Sequence, residues 1–387
     1  MTYPRFTLTD KGFRRFLSGH PWIYRGEIAS ADAAASGDVV SIHDRRGRPA
    51  AFGWCSERSL IAVRVLSRDG EPDEAFLRSR IESAVEMRRR IQPGRSMERL
   101  VHGESDGIPS FIVDRYGDVV VIQTLSAGSE RHKGELVKIL RELLAPRAII
   151  ERNDPGVRRL EGLETVSRLI EGEETTQVWC EEGQRKVKVL PLTGQKTGLF
   201  LDQYENHTSA AAYARGRVLD CFAYQGGFTL QVAPLADSVT AIDSSGEALE
   251  VLRENCAANG ISNVNAVETN VFDRLTELSR AHATFDMVIL DPPAFAKNRS
   301  ALPGAIRGYK EINLRALSLL GRGGILVSSS CSYHLNEDAF LNILTDAAHD
   351  RGRSCQVIEK RMQARDHPVL LAMPESYYLK CMIVRVM

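Results

Sequence analysis

From Gly216 onward, short apolar runs alternate with longer amphipathic segments. The runs of strand length are GRVLDCFAY, SVTAID, NVNAVETN, FDMVILD and ILVSSS. Helical periods lie between them, in GFTLQVAPLA, SGEALEVLRENCAANG, YKEINLRALSLLGRGG and EDAFLNILTDAAHDRG. This alternation predicts a parallel, doubly wound α/β sheet. The last two runs, SCQVIEKR and YYLKCMIVRV, have no helix between them and predict an antiparallel pair at one edge.

The N-terminal part of the chain has a different pattern. Three β-like runs, GDVVSIHD, RRGRPAAFGWCS and SLIAVRVLS, are separated by turns, which predicts a small barrel. The helical period of EAFLRSRIESAVEMRRRI predicts a helix from about Glu74, which QPG ends. GIPSFIVDRYGDVVVIQTL is typical of a hairpin, GELVKILRELL of a helix and RAIIERN of a strand. We therefore expect a barrel over 1–74, a middle α/β domain over 75–189 and the doubly wound domain over 190–387.

The composition is that of a globular protein, with 43% hydrophobic and 26% charged residues. Lys plus Arg and Asp plus Glu both total 50, so the net charge does not indicate any partner. No apolar run has the length of a membrane span, and the N-terminus lacks the apolar core of a signal peptide. The seven cysteines are scattered and form no CxxC pair, which argues against a disulfide framework and a zinc site. We expect a cytoplasmic protein with no membrane partner and no metal.

Basic and aromatic residues are interleaved in KGFRRFLSGHPWIYRGEI, near the N-terminus. Nucleic-acid surfaces need cations for phosphates and rings for base stacking. The candidate RNA-binding residues here are Lys11, Arg14, Arg15, Trp22 and Arg25. The structural alternative is a solvated helix face whose aromatic residues belong to the core.

The segment VLDCFAYQGGF joins the first predicted strand of the doubly wound sheet to its first helix. Gly226 and Gly227 do not complete the GxGxxG pattern of dinucleotide-binding loops, and bulky Phe222 and Tyr224 leave little room for a pyrophosphate. Asp243 ends the next strand, where an acid can bind ribose hydroxyls. These residues favour S-adenosylmethionine, which has ribose and adenine but no phosphate. The structural alternative is an ordinary loop and a solvated Asp.

Polar residues also follow two later strands. In ILDPPAF, Pro292 and Pro293 keep the chain extended, so Asp291 can point into the crevice and Phe295 can stack on a flat ring. The run ILVSSSCSYH ends on Cys331, at the edge where open α/β sheets bind ligands. A cysteine is more often a small buried hydrophobe, but at this edge its thiolate is a candidate nucleophile.

The segments DPPAFAKNRS, SSCSYH and GQKTGLFLDQYENH, with the Gly-Gly-Phe loop, together resemble a bacterial family of PUA-domain 23S ribosomal RNA methyltransferases that make 5-methylcytosine. The resemblance covers essentially the whole chain. It implies a PUA-like barrel, a middle domain and a Rossmann-like methyltransferase domain. It also implies S-adenosylmethionine as the cofactor and 23S ribosomal RNA, naked or in an assembly intermediate, as the partner. A homodimer is left open.

With this resemblance, the predicted site residues fall into three sets. The cofactor-binding candidates are Gln195, Phe200, Asp202, Gln203, Phe222, Ala223, Tyr224, Gly226, Gly227, Phe228, Asp243, Ser244, Asn270, Val271, Asp291 and Pro292. Lys196, Phe295 and Lys297 join the RNA-binding candidates. The catalytic candidates are Cys331, Asp291, His367 and Asp366.

The chemistry of the family implies a nucleophile and a base. Addition of the Cys331 thiolate to carbon 6 of cytosine activates carbon 5 towards the sulfonium methyl group, and a base then removes the carbon 5 proton. Asp366 and His367, in RDHPV, are the candidates for that base and Glu375 is a third, although such a pair can also be a turn or a cap.

The sequence departs from the family pattern at two positions. DPPAF lacks the second cysteine that many RNA cytosine methyltransferases carry, so one thiol must serve both attack and release. Asn270 also stands where related enzymes often have Asp.

Other functions stay open on the sequence alone. DPPAF also resembles the DPPY/F signature of enzymes that methylate amino groups, which would make the protein a guanine nitrogen methyltransferase that needs no thiol. A catalytically idle RNA-binding protein and a nicotinamide-dependent oxidoreductase on the same fold are the alternatives from other classes.

Overall fold

The computed structural model describes residues 3–296 and 298–387, so the predicted RNA contact of Lys297 lies outside the described residues. The chain forms two compact units. The N-terminal unit contains Met1–Cys180, Val189–Leu199 and Arg365–Ser376, and the C-terminal unit contains Glu181–Lys188, Phe200–Ala364 and Tyr377–Met387. The division into three domains, with boundaries after 74 and 189, stays a prediction.

The N-terminal unit carries two sheets and four α-helices among its described residues. Its strands are β1 (Arg5–Leu8), β2 (Trp22–Tyr24), β3 (Ile28–Ala31), β4 (Val39–His43), β5 (Pro49–Cys55), β6 (Ile61–Ser67), β7 (Met97–His102), β8 (Phe111–Tyr116), β9 (Val119–Thr124), β10 (Ala148–Asn153) and β11 (Val166–Gly172). Its helices are α1 (Asp10–Leu17), α2 (Glu74–Ile91), α3 (Ala127–Arg131) and α4 (Lys133–Leu144). A hairpin of β12 (Val178–Glu182) and β13 (Arg185–Val189) follows.

The first sheet has six strands in the order β2-β6-β5-β4-β1-β3, and the three predicted runs form β4, β5 and β6. The second sheet has the order β11-β10-β9-β8-β7 and contains the predicted hairpin as β8 and β9. The predicted helix from Glu74 is confirmed as α2, where the Asp73 side chain accepts the Phe76 N–H and so caps the first turn. Leu77, Ile81 and Val85 of α2 lie in the core beside α4 and the second sheet.

The C-terminal unit is built on one seven-stranded sheet in the order β16-β15-β14-β17-β18-β20-β19. The strands are β14 (Arg217–Cys221), β15 (Ser238–Asp243), β16 (Val264–Glu268), β17 (Phe285–Leu290), β18 (Leu320–Ser330), β19 (Cys355–Met362) and β20 (Lys380–Val386). The helices are α5 (Tyr204–Ala211), α6 (Gly227–Val232), α7 (Gly246–Ala258), α8 (Val271–Arg280), α9 (Leu302–Ser318) and α10 (Glu337–Asp350).

The predicted doubly wound topology is confirmed. Strands β14 to β18 pair in parallel, whereas β20 pairs antiparallel with both β18 and β19 at one edge. Val218 packs on one face of the sheet and Leu219 on the other, since successive strand residues point to opposite sides. The chain order reverses between β14 and β17, and the carboxyl ends at such a switch point form the ligand crevice.

Some elements differ from the sequence prediction. The polar, Glu-rich region after Gly162 contains the half-exposed edge strand β11, which the apolar pattern did not indicate. The GRGG segment at 321–324 belongs to β18 rather than to the preceding helix. Among the described residues, no helix is both long and apolar enough to cross a membrane. No group of three His, Cys, Asp or Glu side chains in that part of the chain could hold a metal ion.

Candidate active site

The loop between β14 and α6 has an unusual backbone. Phe222 has φ 64°, Tyr224 has φ 49° and Gly226 has φ 90°, all in the left-handed region that non-glycine residues rarely adopt. Hydrogen bonds hold this conformation, since Ala223 N–H donates to the Ile242 carbonyl at 3.0 Å and Gly226 N–H donates to the Ala223 carbonyl at 2.8 Å. The structure therefore maintains a strained turn at the carboxyl end of β14.

Steric contacts explain why glycine occupies both predicted positions, 226 and 227. A Cβ on Gly226 would lie 2.8 Å from Leu252 Cδ1, and the positive φ adds to its cost. A Cβ on Gly227 would lie 2.3 Å from His207 Cε1, so this glycine allows α6 to pack closely. The His207 ring meets the buried Phe228 ring edge-on, with centroids 4.5 Å apart. The two glycines thus shape the loop through internal packing.

Asp243 lies half-buried at the carboxyl end of β15, beside this loop. Its Oδ2 accepts the Tyr224 N–H at 2.9 Å, and its Oδ1 accepts the Ser245 N–H at 2.9 Å. Each carboxylate oxygen keeps a second lone pair, because one oxygen can accept two hydrogen bonds. Asp243 is therefore fixed in place and can still accept ribose hydroxyls, and the neighbouring Ser244 is exposed.

Asp220, the buried acid of β14, is not among the residues predicted from the sequence. Its Oδ2 accepts the Thr229 hydroxyl at 2.6 Å, while its Oδ1 has no hydrogen-bond partner among the described residues. Burial raises the pKa of Asp220 to about 7, against the opposing effect of the Thr229 hydrogen bond. Gln225 Oε1, in the same loop, is a second buried acceptor without a partner in the described part of the chain. Both oxygens can therefore accept hydrogen bonds from a bound ligand.

Three aromatic rings gather beside the loop. Phe222 lies 6.5 Å from Phe272 and 6.5 Å from Phe295 between ring centroids, and the last two rings are 5.9 Å apart. Asn270 caps α8, because its Oδ1 accepts the Phe272 N–H at 2.9 Å. Val271 is buried in the core that contains Leu219. The position offers apolar surface for a flat ring, with the Asn270 amide nitrogen as a polar group nearby.

The predicted acid of the DPPAF segment is held by a short polar chain. Asp291 Oδ1 accepts from Gln203 Nε2 at 2.7 Å, and Gln203 Oε1 accepts from Asn206 Nδ2 at 2.6 Å. Asp291 also donates its N–H to the Cys221 carbonyl at 3.3 Å, which ties the ends of β17 and β14 together. This geometry points the Asp291 carboxylate at amide N–H donors.

Cys331 follows β18 directly and is half-buried. Its Sγ donates to the carbonyl of the buried Pro292 at 3.8 Å, so the thiol and the DPPAF segment meet. Ser332 fixes the same junction, because its Oγ accepts the Ala296 N–H at 3.2 Å and lies 3.0 Å from Tyr309 Oη. The ring of Tyr309 packs on that of Phe295, with centroids 4.6 Å apart. The structure thus brings Asp291, Phe295 and Cys331 together.

The residues of GQKTGLFLDQ divide between the two units. Gln195 and Lys196 are exposed in the N-terminal unit, whereas Phe200, Asp202 and Gln203 belong to the C-terminal unit. The Phe200 ring meets the Tyr224 ring edge-on at 5.3 Å, beside the cofactor loop. The buried Asp202 carboxylate accepts the Tyr378 hydroxyl at 2.7 Å, which is an internal contact.

The two predicted bases lie in the N-terminal unit. Asp366 is buried, and its Oδ2 accepts the Arg99 N–H at 2.9 Å and lies 3.6 Å from Arg95 Nη1. Its Oδ1 lies 2.8 Å from Nδ1 of the buried His367. Burial alone would raise the pKa of Asp366, but the charge of His367 and its hydrogen bond lower that pKa overall. Glu375 lies 3.4 Å from His20 Nε2, in the same unit. These contacts keep Asp366 a carboxylate and orient the His367 ring.

The N-terminal candidates have different surroundings. The Arg15 guanidinium lies 2.9 Å from His20 Nε2 and 4.4 Å from the centre of the Tyr24 ring. Arg25 donates to the Ser56 carbonyl at 2.9 Å and to the Ser59 carbonyl at 2.8 Å.

Of the three remaining candidates in this stretch, one has an internal partner and two do not. Trp22 Nε1 donates to Glu104 Oε1 at 2.8 Å. Lys11 and Arg14 are exposed, and their side chains have no partner among the described residues. Two of the five candidates are therefore available for an outside ligand without losing an internal contact.

Comparison with known families agrees with this geometry. Residues 6–68 match the PUA-like domain, and residues 164–370 match the S-adenosylmethionine-dependent methyltransferase family. The second match spans more than half of the chain. The chain therefore belongs to the family of S-adenosylmethionine-dependent methyltransferases and carries a PUA-like domain.

Several relatives are similar to it along their whole length. Ribosomal RNA large subunit methyltransferase I of Klebsiella pneumoniae is 39% identical over 395 residues, which cover 100% of this chain and 99% of that protein. The protein of the same name from Escherichia coli O139:H28 is 38% identical over 393 residues, with 99% of each chain covered. The one from Shewanella denitrificans is 40% identical over 378 residues, with 95% of each covered.

Solved structures show the same fold. The methyltransferase SMU.776, complexed with SAH, matches with a TM-score of 0.86 at 18% identity over 100% of both chains. An S-adenosylmethionine-dependent methyltransferase from Streptococcus mutans matches with a TM-score of 0.85 at 18% identity, again over 100% of both chains.

The residues present fit S-adenosylmethionine, the cofactor of this family. The cofactor offers ribose hydroxyls and a cationic amino group as donors. The Asp243 carboxylate can accept hydrogen bonds from the ribose hydroxyls. Asp220 Oδ1 and Gln225 Oε1 are buried acceptors that have no donor among the described residues. The rings of Phe222 and Phe272 offer apolar surface for adenine.

Proposed function

We propose that the protein methylates carbon 5 of a cytosine in 23S ribosomal RNA through a covalent adduct with Cys331. The observation that carries the proposal is the junction between the thiol and the DPPAF segment, where Cys331 Sγ lies 3.8 Å from the Pro292 carbonyl oxygen. The name of the relatives, ribosomal RNA large subunit methyltransferase I, supports the choice of substrate. The PUA-like domain at residues 6–68 supports an RNA partner, and exposed Lys11 and Arg14 are its proposed phosphate contacts.

The proposed reaction has three steps: addition of the thiolate to the ring, methyl transfer to carbon 5, and elimination of the thiolate. The Cys331 thiolate forms a bond to carbon 6, and the displaced electron pair makes carbon 5 nucleophilic. When S-adenosylmethionine is bound, carbon 5 would take its methyl group by in-line displacement, and the sulfonium sulfur would leave as a neutral thioether. A base then removes the carbon 5 proton, the electron pair returns to the ring, and the carbon–sulfur bond breaks to release the thiolate.

Two sets of side chains have proposed roles around this step. Asp291 already accepts an amide N–H from Gln203, and the cytosine amino group is a donor of the same kind. Phe295 is proposed to stack on the base, next to Cys331. His367, with Asp366 at its Nδ1, stays the predicted base, because a carboxylate at Nδ1 leaves Nε2 as the accepting nitrogen.

A guanine nitrogen methyltransferase is the second candidate. The hydrogen bond from Gln203 Nε2 to Asp291 supports it as well, since guanine also carries an exocyclic amino group. That reaction needs no thiol. Cys331 therefore discriminates between the two candidates.

The test compares Cys331→Ser with Cys355→Ser, which changes another half-buried thiol of the same unit. We expect Cys331→Ser to lose at least about a thousandfold in methylation rate, as nucleophile removal does, and Cys355→Ser to keep its rate. Target RNA that contains 5-fluorocytosine should trap an adduct, because fluorine blocks the last proton removal, and peptide mapping should place it at Cys331. Near wild-type methylation by Cys331→Ser, or an adduct at Cys221 or Cys256, would overturn the covalent mechanism.

A further inference from the structure

Lys380 is a buried lysine in the middle of the C-terminal unit. It begins β20, its residue is only 1% exposed, and it pairs with Ser330 of β18 on one side and Met362 of β19 on the other. Ser330 is the residue directly before Cys331. Lysine is almost never fully buried unless it has a partner, because removing its charge from water is costly. This position therefore requires an explanation.

The ammonium group of Lys380 is held by two backbone carbonyls. Lys380 Nζ donates to the Ser332 carbonyl at 2.8 Å and to the Tyr378 carbonyl at 2.9 Å. No carboxylate lies within salt-bridge distance of Nζ among the described residues. An ammonium has three N–H donors, and the two carbonyl oxygens use two of them. The cation is thus anchored next to Cys331 without a carboxylate that neutralises it by direct contact.

Two titratable groups act on Lys380 from neighbouring elements. Burial lowers the pKa of Lys380 to about 8, while the negative charges of Cys331 and Glu337 act in the opposite direction. Glu337, at the start of α10, already accepts from Lys360 at 3.0 Å and from the Tyr377 hydroxyl at 2.9 Å. The ammonium form still predominates at neutral pH, since that pH lies below the value for Lys380. The interaction with a Cys331 anion is mutual, so the cation stabilises the thiolate as well.

We propose that Lys380 is a positioning residue for Cys331: its buried ammonium fixes the Ser332 carbonyl and supplies the positive charge that stabilises the Cys331 thiolate. The inference rests on the proposed role of Cys331 as nucleophile. It accounts for a charged residue in the apolar strand LKCMIV, where a packing role alone would favour an aliphatic side chain. A reactive cysteine needs such a cation, because the thiolate and not the thiol attacks.

The test measures alkylation of Cys331 by iodoacetamide in the full chain, from about pH 6 to 10, with peptide mass spectrometry to separate the cysteines. In Lys380→Met we expect the midpoint of the Cys331 rate to move upward by about one pH unit or more, since one opposite charge nearby has that effect. The control Lys360→Met removes a half-exposed cation of β19 and should leave the midpoint in place. An unchanged midpoint in Lys380→Met overturns the inference.

A second measurement needs no substitution and covers the case in which Lys380→Met does not fold. Cys355 is also half-buried, and burial raises the pKa of its thiol. In the wild-type protein Cys331 should be alkylated with a lower midpoint than Cys355, and a midpoint equal to or above that of Cys355 contradicts the role of Lys380. The two proposals fail separately. If 5-fluorocytosine forms an adduct but the midpoint does not shift, only the role of Lys380 is wrong. If the midpoint shifts but no adduct forms, the covalent mechanism is wrong and Lys380 still stabilises the Cys331 thiolate.

Discussion

The N-terminal basic and aromatic stretch and the carboxyl edge of the seven-stranded sheet both attract attention by their residue types, but they use their polar groups differently. The guanidinium groups of Arg15 and Arg25 in the stretch form hydrogen bonds with internal acceptors. At the sheet edge, buried Asp220 keeps an oxygen with no partner among the described residues, and Lys380 meets only carbonyl oxygens there. We therefore expect remaining hydrogen-bond and charge capacity to separate binding groups from structural ones better than residue type does.

The sharpest test of this comparison is the stability of Asp220→Asn. Burial raises the pKa of Asp220 from 3.8 to about 7, so between these values the folded state holds a proton that the unfolded state has lost. Wild-type stability without cofactor should therefore fall as pH rises from about 4 to 7, by as much as about 4 kcal/mol in the free energy of unfolding. The Asn variant lacks this group, so its advantage over wild type should grow over the same range.

Denaturant unfolding measures the difference at pH 5, which lies inside that range, and at pH 8, which lies about one unit above it. Asp237→Asn, an exposed carboxylate in the turn before β15, is the control and should give a curve parallel to wild type. A constant difference between Asp220→Asn and wild type at both pH values would mean that an internal group already satisfies Asp220. Asp220 would then be an internally satisfied group, as Arg15 and Arg25 are.

The next test is cofactor affinity in Asp243→Ala. Loss of a charge-assisted hydrogen bond to ribose costs about 1.5–3 kcal/mol, which weakens binding of S-adenosylmethionine roughly tenfold or more. The substitution also removes the acceptor for the Tyr224 and Ser245 N–H groups, so it loosens the loop and adds to the loss. Calorimetry measures the dissociation constant. Glu247→Ala, which removes an exposed acid from the first turn of α7, should bind the cofactor normally, and unchanged binding by Asp243→Ala would move the ribose acid elsewhere.

The sequence pattern predicted most of the fold of the C-terminal unit, because strands buried on both faces give continuous apolar runs that helical periods separate. The strands β14 to β18, the antiparallel edge and the cofactor loop all followed from that pattern. The half-exposed β11 did not, since an edge strand with polar residues on both faces has no such signal. Hydrogen bonding to a neighbouring strand defines β11, and a single sequence does not display that pairing.

The candidate site residues chosen from the sequence follow strands, whereas the two noticed only in the structure lie within apolar runs. Cys331, Asp243 and Asp291 come directly after or at the end of apolar runs, and the structure brings them to one sheet edge. Asp220 and Lys380 lie within the runs VLDC and LKCM, where the apolar pattern hides them. A charged residue inside an otherwise apolar strand was the available signal, because burial of a charge requires a partner or a function.

The smallest expected effect concerns RNA binding by the N-terminal stretch. Lys11 and Arg14 are exposed and have no partner among the described residues, so phosphate contacts would cost them no internal bond. Each lost phosphate contact reduces the slope of log affinity against log salt by about 0.7 for single-stranded RNA. The double variant Lys11→Ala and Arg14→Ala should therefore flatten the slope by about 1.4, while the affinity for S-adenosylmethionine stays unchanged.

Arg25→Ala sharpens this prediction from the opposite side. Its guanidinium donates to the Ser56 and Ser59 carbonyls, so its removal should lower the stability of the N-terminal unit and leave the salt slope as it is. The control for lost charge is the pair Arg280→Ala and Arg322→Ala, exposed cations of the C-terminal unit, which should change neither quantity. If the Lys11 and Arg14 variant kept its salt slope, or if Arg25→Ala flattened it, internal satisfaction would not separate binding arginines from structural ones. The whole stretch would then be read as a solvated surface of the PUA-like domain.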